Sequence, residues 1–171
     1  MQRPTSVTVF GILNIVFAAF GVFGLIASIA LFYLPADSHN PVIKLIHENP
    51  AYALWLKICI PLGVLSCAAL LAAGIGLLYL KPWARILSIA YAIYAIVFGI
   101  VGMVINFIVM VQPLLEQARQ QPGPEAAGAI GGAIGGTIGG CFGLIYPVLL
   151  LIFMTRPKVV AAFRPSAPPQ M

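Results

Sequence analysis

Four long apolar runs, separated by short polar ones, organise this chain. They cover about residues 6–34, 51–80, 82–111 and 125–154. Each exceeds the roughly 20 apolar residues that a helix needs to cross a bilayer. Polar loops at 35–50 and 112–124 and a basic, then Pro-rich tail at 155–171 account for most of the rest. The pattern predicts one all-α membrane domain, a four-helix bundle crossing up-down-up-down. A cleaved signal peptide competes for the first run, but its apolar core is typically 7–15 residues and ends at small residues. This run is much longer and exits through Leu34-Pro35-Ala36-Asp37, so an uncleaved first span is expected.

The boundaries carry their own signals. Asn40-Pro41 and Asn49-Pro50 each read as a cap followed by proline at the first helical position. Between them Val42, Ile43, Leu45 and Ile46 are spaced to lie on an interface as one or two helical turns. Tyr52, Trp55 and Lys57 suit the headgroup zone. Lys81-Pro82-Trp83 is so short a connection that the second and third helices must be antiparallel neighbours. Pro61 and Pro147 are expected to kink the second and fourth helices. Tyr91 and Tyr94 lie well inside the third run, where their hydroxyls are expected to find a backbone carbonyl or a neighbour. Asn14 and Asn106 are expected to bond between helices, at different depths, so not to each other.

Residues 128–143, GAIGGAIGGTIGGCFG, hold two interleaved glycine columns. One is Gly128, Gly132, Gly136 and Gly140; the other is Gly131, Gly135, Gly139 and Gly143. In water each glycine weakens a helix, but in a bilayer the backbone has no other hydrogen-bond partner and the helix forms. Steps of four advance about 40° around the axis, so the two columns cover roughly half the circumference. So slender a rod invites close approach by another backbone. It is expected to be clasped by protein on two faces. Ala68, Ala72 and Gly76 form a second small-residue column, a candidate surface for the glycine helix within the chain. Self-association through the glycine face and a glycine-lined pore are the other readings.

Composition agrees with the pattern. Only 8% of residues are charged, against about 25% in soluble domains, and the mean hydropathy is +1.05. The chain cannot cover a water-facing surface. The net charge of +5 does not indicate a nucleic-acid partner, because the charges sort by loop. Arg3, Lys81, Arg85, Arg156, Lys158 and Arg164 fall on one side with no carboxylate. Lys44, Lys57 and Arg119 share the other with Asp37, Glu48, Glu116 and Glu125. The positive-inside rule places both termini in the cytoplasm. Cys59, Cys67 and Cys141 lack CxxC spacing and are expected to be buried free thiols. His39, His47, Asp37 and Glu48 share a loop without a recognised ligand spacing. Neither HExxH, GxSxG nor a P-loop occurs, and the glycine run lacks the strand and the Lys-Ser/Thr of a phosphate cradle. No metal, cofactor or catalytic residue is assigned. No Asp, Glu, Lys, Arg or His sits within the predicted membrane core of these runs, which argues against an ion-coupled transporter.

RPTSVTVFGILNIVF at 3–17, LLYLKPWARILSIAYAI at 77–93 and IYPVLLLIFMTRPKVVAAF at 145–163 resemble small bacterial four-span membrane proteins of unknown function. The resemblance implies a bacterial inner-membrane location and brings no activity. The function expected is a non-catalytic assembly or scaffold protein, packing through the glycine helix with a second copy or with another membrane protein. A small channel and a lipid-binding membrane protein are the alternatives, and an enzyme is the least favoured.

Overall fold

The computed structural model describes residues 5–35, 41–112, 115–116, 119 and 124–163. Helices α1 (Thr5–Leu31), α2 (Pro41–Glu48), α3 (Pro50–Leu78), α4 (Pro82–Asn106), α5 (Pro124–Thr155) and α6 (Pro157–Ala162) follow in order. Among the described residues there is no strand. Four stretches, Thr5–Leu31, Pro50–Leu78, Pro82–Val109 and Ile130–Thr155, are long and apolar enough to cross a membrane. The chain therefore has the make-up of a multi-pass membrane protein. The leader with Arg3, the loop residues Asp37, His39 and Asn40, the 120–123 segment and the tail with Arg164 lie outside the described residues.

Local chemistry sets the element ends. Asn49 caps α3, its side-chain oxygen accepting from the amides of Ala51 at 3.1 Å and Tyr52 at 3.2 Å, with Pro50 beginning the first turn. At the far end Lys81 donates its amide to the Gly76 carbonyl at 2.9 Å, the six-residue closure of a Schellman motif. Glycine usually occupies the left-handed position of that motif; here Leu80 does, at φ 52°. Its side chain is packed against the core, a contact glycine would not make. Pro82 then starts α4.

The hydrophobic segment in the first loop becomes α2, whose Ile43 and Ile46 are buried. α4 does not run uniformly to Val111. From Phe107–Val111 its last turn widens to π-type bonding, which periodicity does not reveal. The tail also differs from expectation, because its first part is folded. Arg156 and Pro157 break α5 and start α6, and Val159 and Phe163, four residues apart, are buried in the core. Pro61 and Pro147 sit inside helices that continue past them.

The core lies at one end of the molecule, where Val7 and Phe10 of α1 meet Leu77, Ala84, Leu150, Met154 and Val159. Glycine sets the helix spacing there. A Cβ on Gly74 would stand 2.8 Å from the Gly11 carbonyl oxygen, so α1 and α3 touch backbone to backbone. Further along the same pair, Gly21 faces Cys67 and Gly63 faces Leu25. α4 packs on α3, with Trp55 and Phe98 rings stacked at 5.4 Å.

Candidate helix-packing surface

Among the described residues, α5 packs against α1 and α4 over one half and against α4 over the other. Leu144 lies in the gap over Gly99 of α4, and Gly140 meets Met103 of α4 at 3.6 Å from an added Cβ. Ile130 and Thr137, on the same side of the helix, are half-buried. At about 100° per residue the centre of the two glycine columns lies roughly opposite this seam. The columns face open space accordingly. Among the described residues, a Cβ placed on Gly128, Gly131, Gly132, Gly135, Gly136, Gly139 or Gly143 has no packing neighbour within 4 Å. Among them, then, the glycine rod is held on one side rather than on two. Phe142, 68% exposed, stands at the edge of the uncovered face.

The uncovered face has a covered continuation. Tyr146, Leu150, Phe153 and Met154 repeat the angular positions of Gly128, Gly132, Gly135 and Gly136 roughly five turns further on. There α1 lies against α5. Phe17 packs on Tyr146 with ring centroids 4.1 Å apart, and Phe10 packs on Phe153 at 5.0 Å. Leu150 and Met154 are fully buried. Beyond Phe17, α1 follows α3 through Gly21 and Leu25, and no other described residue packs on the glycines of that face of α5.

Ala68, Ala72 and Gly76 are not brought to this face. Gly76 is filled from α4, with Ala84 Cβ 2.5 Å and Trp83 2.9 Å from its would-be Cβ; Ala68 and Ala72 are exposed. The reason is that α3 spends its tight contacts on α1 and α4. The small residues that do make a close crossing are Gly11 and Gly74. A small residue in an apolar run does not name its partner. Cys141 also departs from expectation: it is exposed, while Cys59 and Cys67 are half-buried.

Where α1, α4 and α5 meet, they share a buried polar cluster. Asn14 and Ser88 are both fully buried. Tyr146 donates its hydroxyl to the Asn14 side-chain oxygen. Asn14 Nδ2 donates to Ser88 Oγ at 3.5 Å, and Ser88 donates onward to the Ala84 carbonyl at 2.8 Å. Asn14 therefore bonds between helices, as its place in an apolar run suggests. Its partners could not be read from spacing, since Ser88 and Tyr146 are 74 and 132 residues away. The groups are neutral and satisfy one another, which suits a fastening better than acid–base chemistry. Tyr94 stacks on Phe98 at 5.3 Å, beside an open apolar hollow of about 440 Å³ lined by Ala90, Ile93, Tyr94, Val97 and Phe98. Among the described residues no three metal-ligating side chains converge.

Compared with models of protein families, with curated proteins and with solved structures, the chain matches none.

Proposed function

We propose that this chain is a non-catalytic assembly protein of the bacterial inner membrane that associates with a second copy of itself through the glycine face of α5. One observation carries the reading. The face that α1 covers at Tyr146, Leu150 and Phe153 continues as glycine, and among the described residues no atom beyond the helix's own neighbouring backbone lies within 4 Å of seven of its eight would-be Cβ positions. Lipid fills such a slender surface poorly, whereas a second helix can bring its backbone close. A face with small residues at every fourth position on both columns is self-complementary, which a two-fold contact requires. The helices cross alternately, with both termini in the cytoplasm. Contacts of Gly11 with Gly74 and of Gly63 with Leu25 support the alternation, and the cations of one end support the orientation.

Mass measurement of the intact protein in mild detergent and in nanodiscs tests this. The expected result is a defined oligomer that Gly135→Leu and Gly136→Leu reduce to the single-chain mass. A single chain throughout, or an oligomer that both variants leave intact, overturns it.

A further inference from the structure

Three helix ends converge beside the core: the start of α4, the end of α5 and the start of α6. Arg85, in the first turn of α4, donates from Nε to the Met154 carbonyl at 2.9 Å. That carbonyl belongs to the last turn of α5, where acceptors have no partner within the helix and the helix dipole is negative. The bond fixes the guanidinium. Among the described residues nothing else holds its two Nη groups, which remain as a pair of parallel donors matched to a phosphate. Arg156 follows two residues after Met154, its guanidinium 4.4 Å above the Phe153 ring. Lys81 and Lys158 are exposed at the starts of α4 and α6. Among the described residues the carboxylate-bearing positions lie at the other ends of these helices: Glu48 precedes α3, Glu116 follows α4, and Glu125 lies in the first turn of α5.

The same corner offers apolar cover. Ile86, 67% exposed, lies on the outer face of α4 next to Arg85; Trp83, 50% exposed, lies beyond it on the side of α3, its ring against Gly76. A free anion would use the cations alone; a phospholipid uses both, with its phosphate on the Arg85 fork and its glycerol and upper acyl carbons along the outer face of α4 at Ile86, toward Trp83. We infer that this corner is a binding site for the headgroup of an anionic phospholipid. General attraction of a basic collar to an anionic leaflet is diffuse. Here one arginine is oriented by a protein carbonyl, and the preference is local to it.

The two tryptophans make the test direct, since Trp55 and Trp83 stand at opposite ends of the α3–α4 pair. A Trp55→Phe variant leaves Trp83 as the reporter, in vesicles of phosphatidylcholine containing brominated phosphatidylglycerol or brominated phosphatidylcholine at equal mole fraction. Quenching of Trp83 should favour the anionic lipid by roughly fivefold or more, the gain expected from one well-placed cation. The converse Trp83→Phe variant, read through Trp55, should show no such preference. Arg85→Lys keeps the charge but not the fork and should remove most of the preference; Arg85→Gln should remove it. Unchanged helical circular dichroism identifies the folded variants. Equal quenching of Trp83 by the two lipids, or full preference in Arg85→Lys, overturns the site. A preference abolished by inorganic phosphate assigns the corner to a free anion and overturns the lipid.

Discussion

The contrast between two kinds of glycine gives the sharpest prediction. Gly74 lies in the α1–α3 crossing, and a methyl there would stand 2.8 Å from the Gly11 carbonyl oxygen, 2.8 Å from Ile15 Cγ1 and 3.0 Å from Asn14 Cβ. Ordinary contact begins near 3.4 Å, so the helices must part by about 0.6 Å. The obstruction is hard to move. Gly11 is backbone, and Asn14 is fastened to α4 and α5 through Ser88 and Tyr146. Overpacking of this kind costs about 1–3 kcal/mol. Gly11→Ala should cost less, because its nearest neighbour at 2.9 Å is the flexible end of Leu78. Gly135→Ala enters open space and should change single-chain stability by no more than about 0.5 kcal/mol. Unfolding in mixed micelles by rising SDS fraction, followed by circular dichroism in a detergent that keeps the protein single-chain, gives the three values. The order Gly74 > Gly11 > Gly135 is expected. Gly135→Ala as costly as Gly74→Ala would mean that the glycine face is packed within one chain, and the reasoning fails.

Tyr146→Phe removes the hydroxyl donor from Asn14 and should cost about 0.6–1.7 kcal/mol, from the average to the upper end of values for hydrogen bonds between membrane helices. A double-mutant cycle with Asn14→Ala in the same SDS titration should return a coupling of that size; zero coupling would deny the bond. Val159 is 2% exposed in the core, so Val159→Asp should release α6, since a buried unpaired carboxylate is far more costly than the contacts it replaces. Trypsin should then cut after Lys158 much faster than in the parent protein, and equal cutting rates would show that α6 does not dock.

What could be read from the sequence follows from how local each signal is. Four spans follow from run length alone. The Asn49 cap follows from two adjacent residues, and its two amide bonds are present. Segment 42–46 was legible as a helix because its apolar positions recur at helical spacing; α2 extends it to Pro41–Glu48. Pairing was not legible. The spans are apolar all round, so no stripe announces which face meets which neighbour, and the glycine columns of 128–143 do not say whether their partner lies within the chain, as that of Gly11 and Gly74 does. The π-type turn and the docking of α6 were hidden for the same reason, since both depend on what lies across the gap. Val159 and Phe163 form only one short apolar pair in a basic tail.

The division of α5 follows from its two neighbours being of unequal reach. α4 accompanies α5 along the seam through Leu144 and Gly140, while α1 is drawn to α3 by the backbone contact of Gly11 with Gly74 and stays with it through Gly63. The fastening at Asn14, Ser88 and Tyr146 joins α1, α4 and α5, with Phe17 stacked on Tyr146 just beyond it. Below that level the face of α5 carries Leu150, Phe153 and Met154, side chains large enough to fill the space α1 leaves. Above it the same angular positions carry only hydrogen. A helix meant to face lipid has no use for that change, because acyl chains accommodate leucine as readily as leucine accommodates them. The glycines are accounted for if a helix from outside the chain comes to that face, closer than side chains would permit. Filling the face with leucine should therefore leave the single-chain fold intact and abolish only the association.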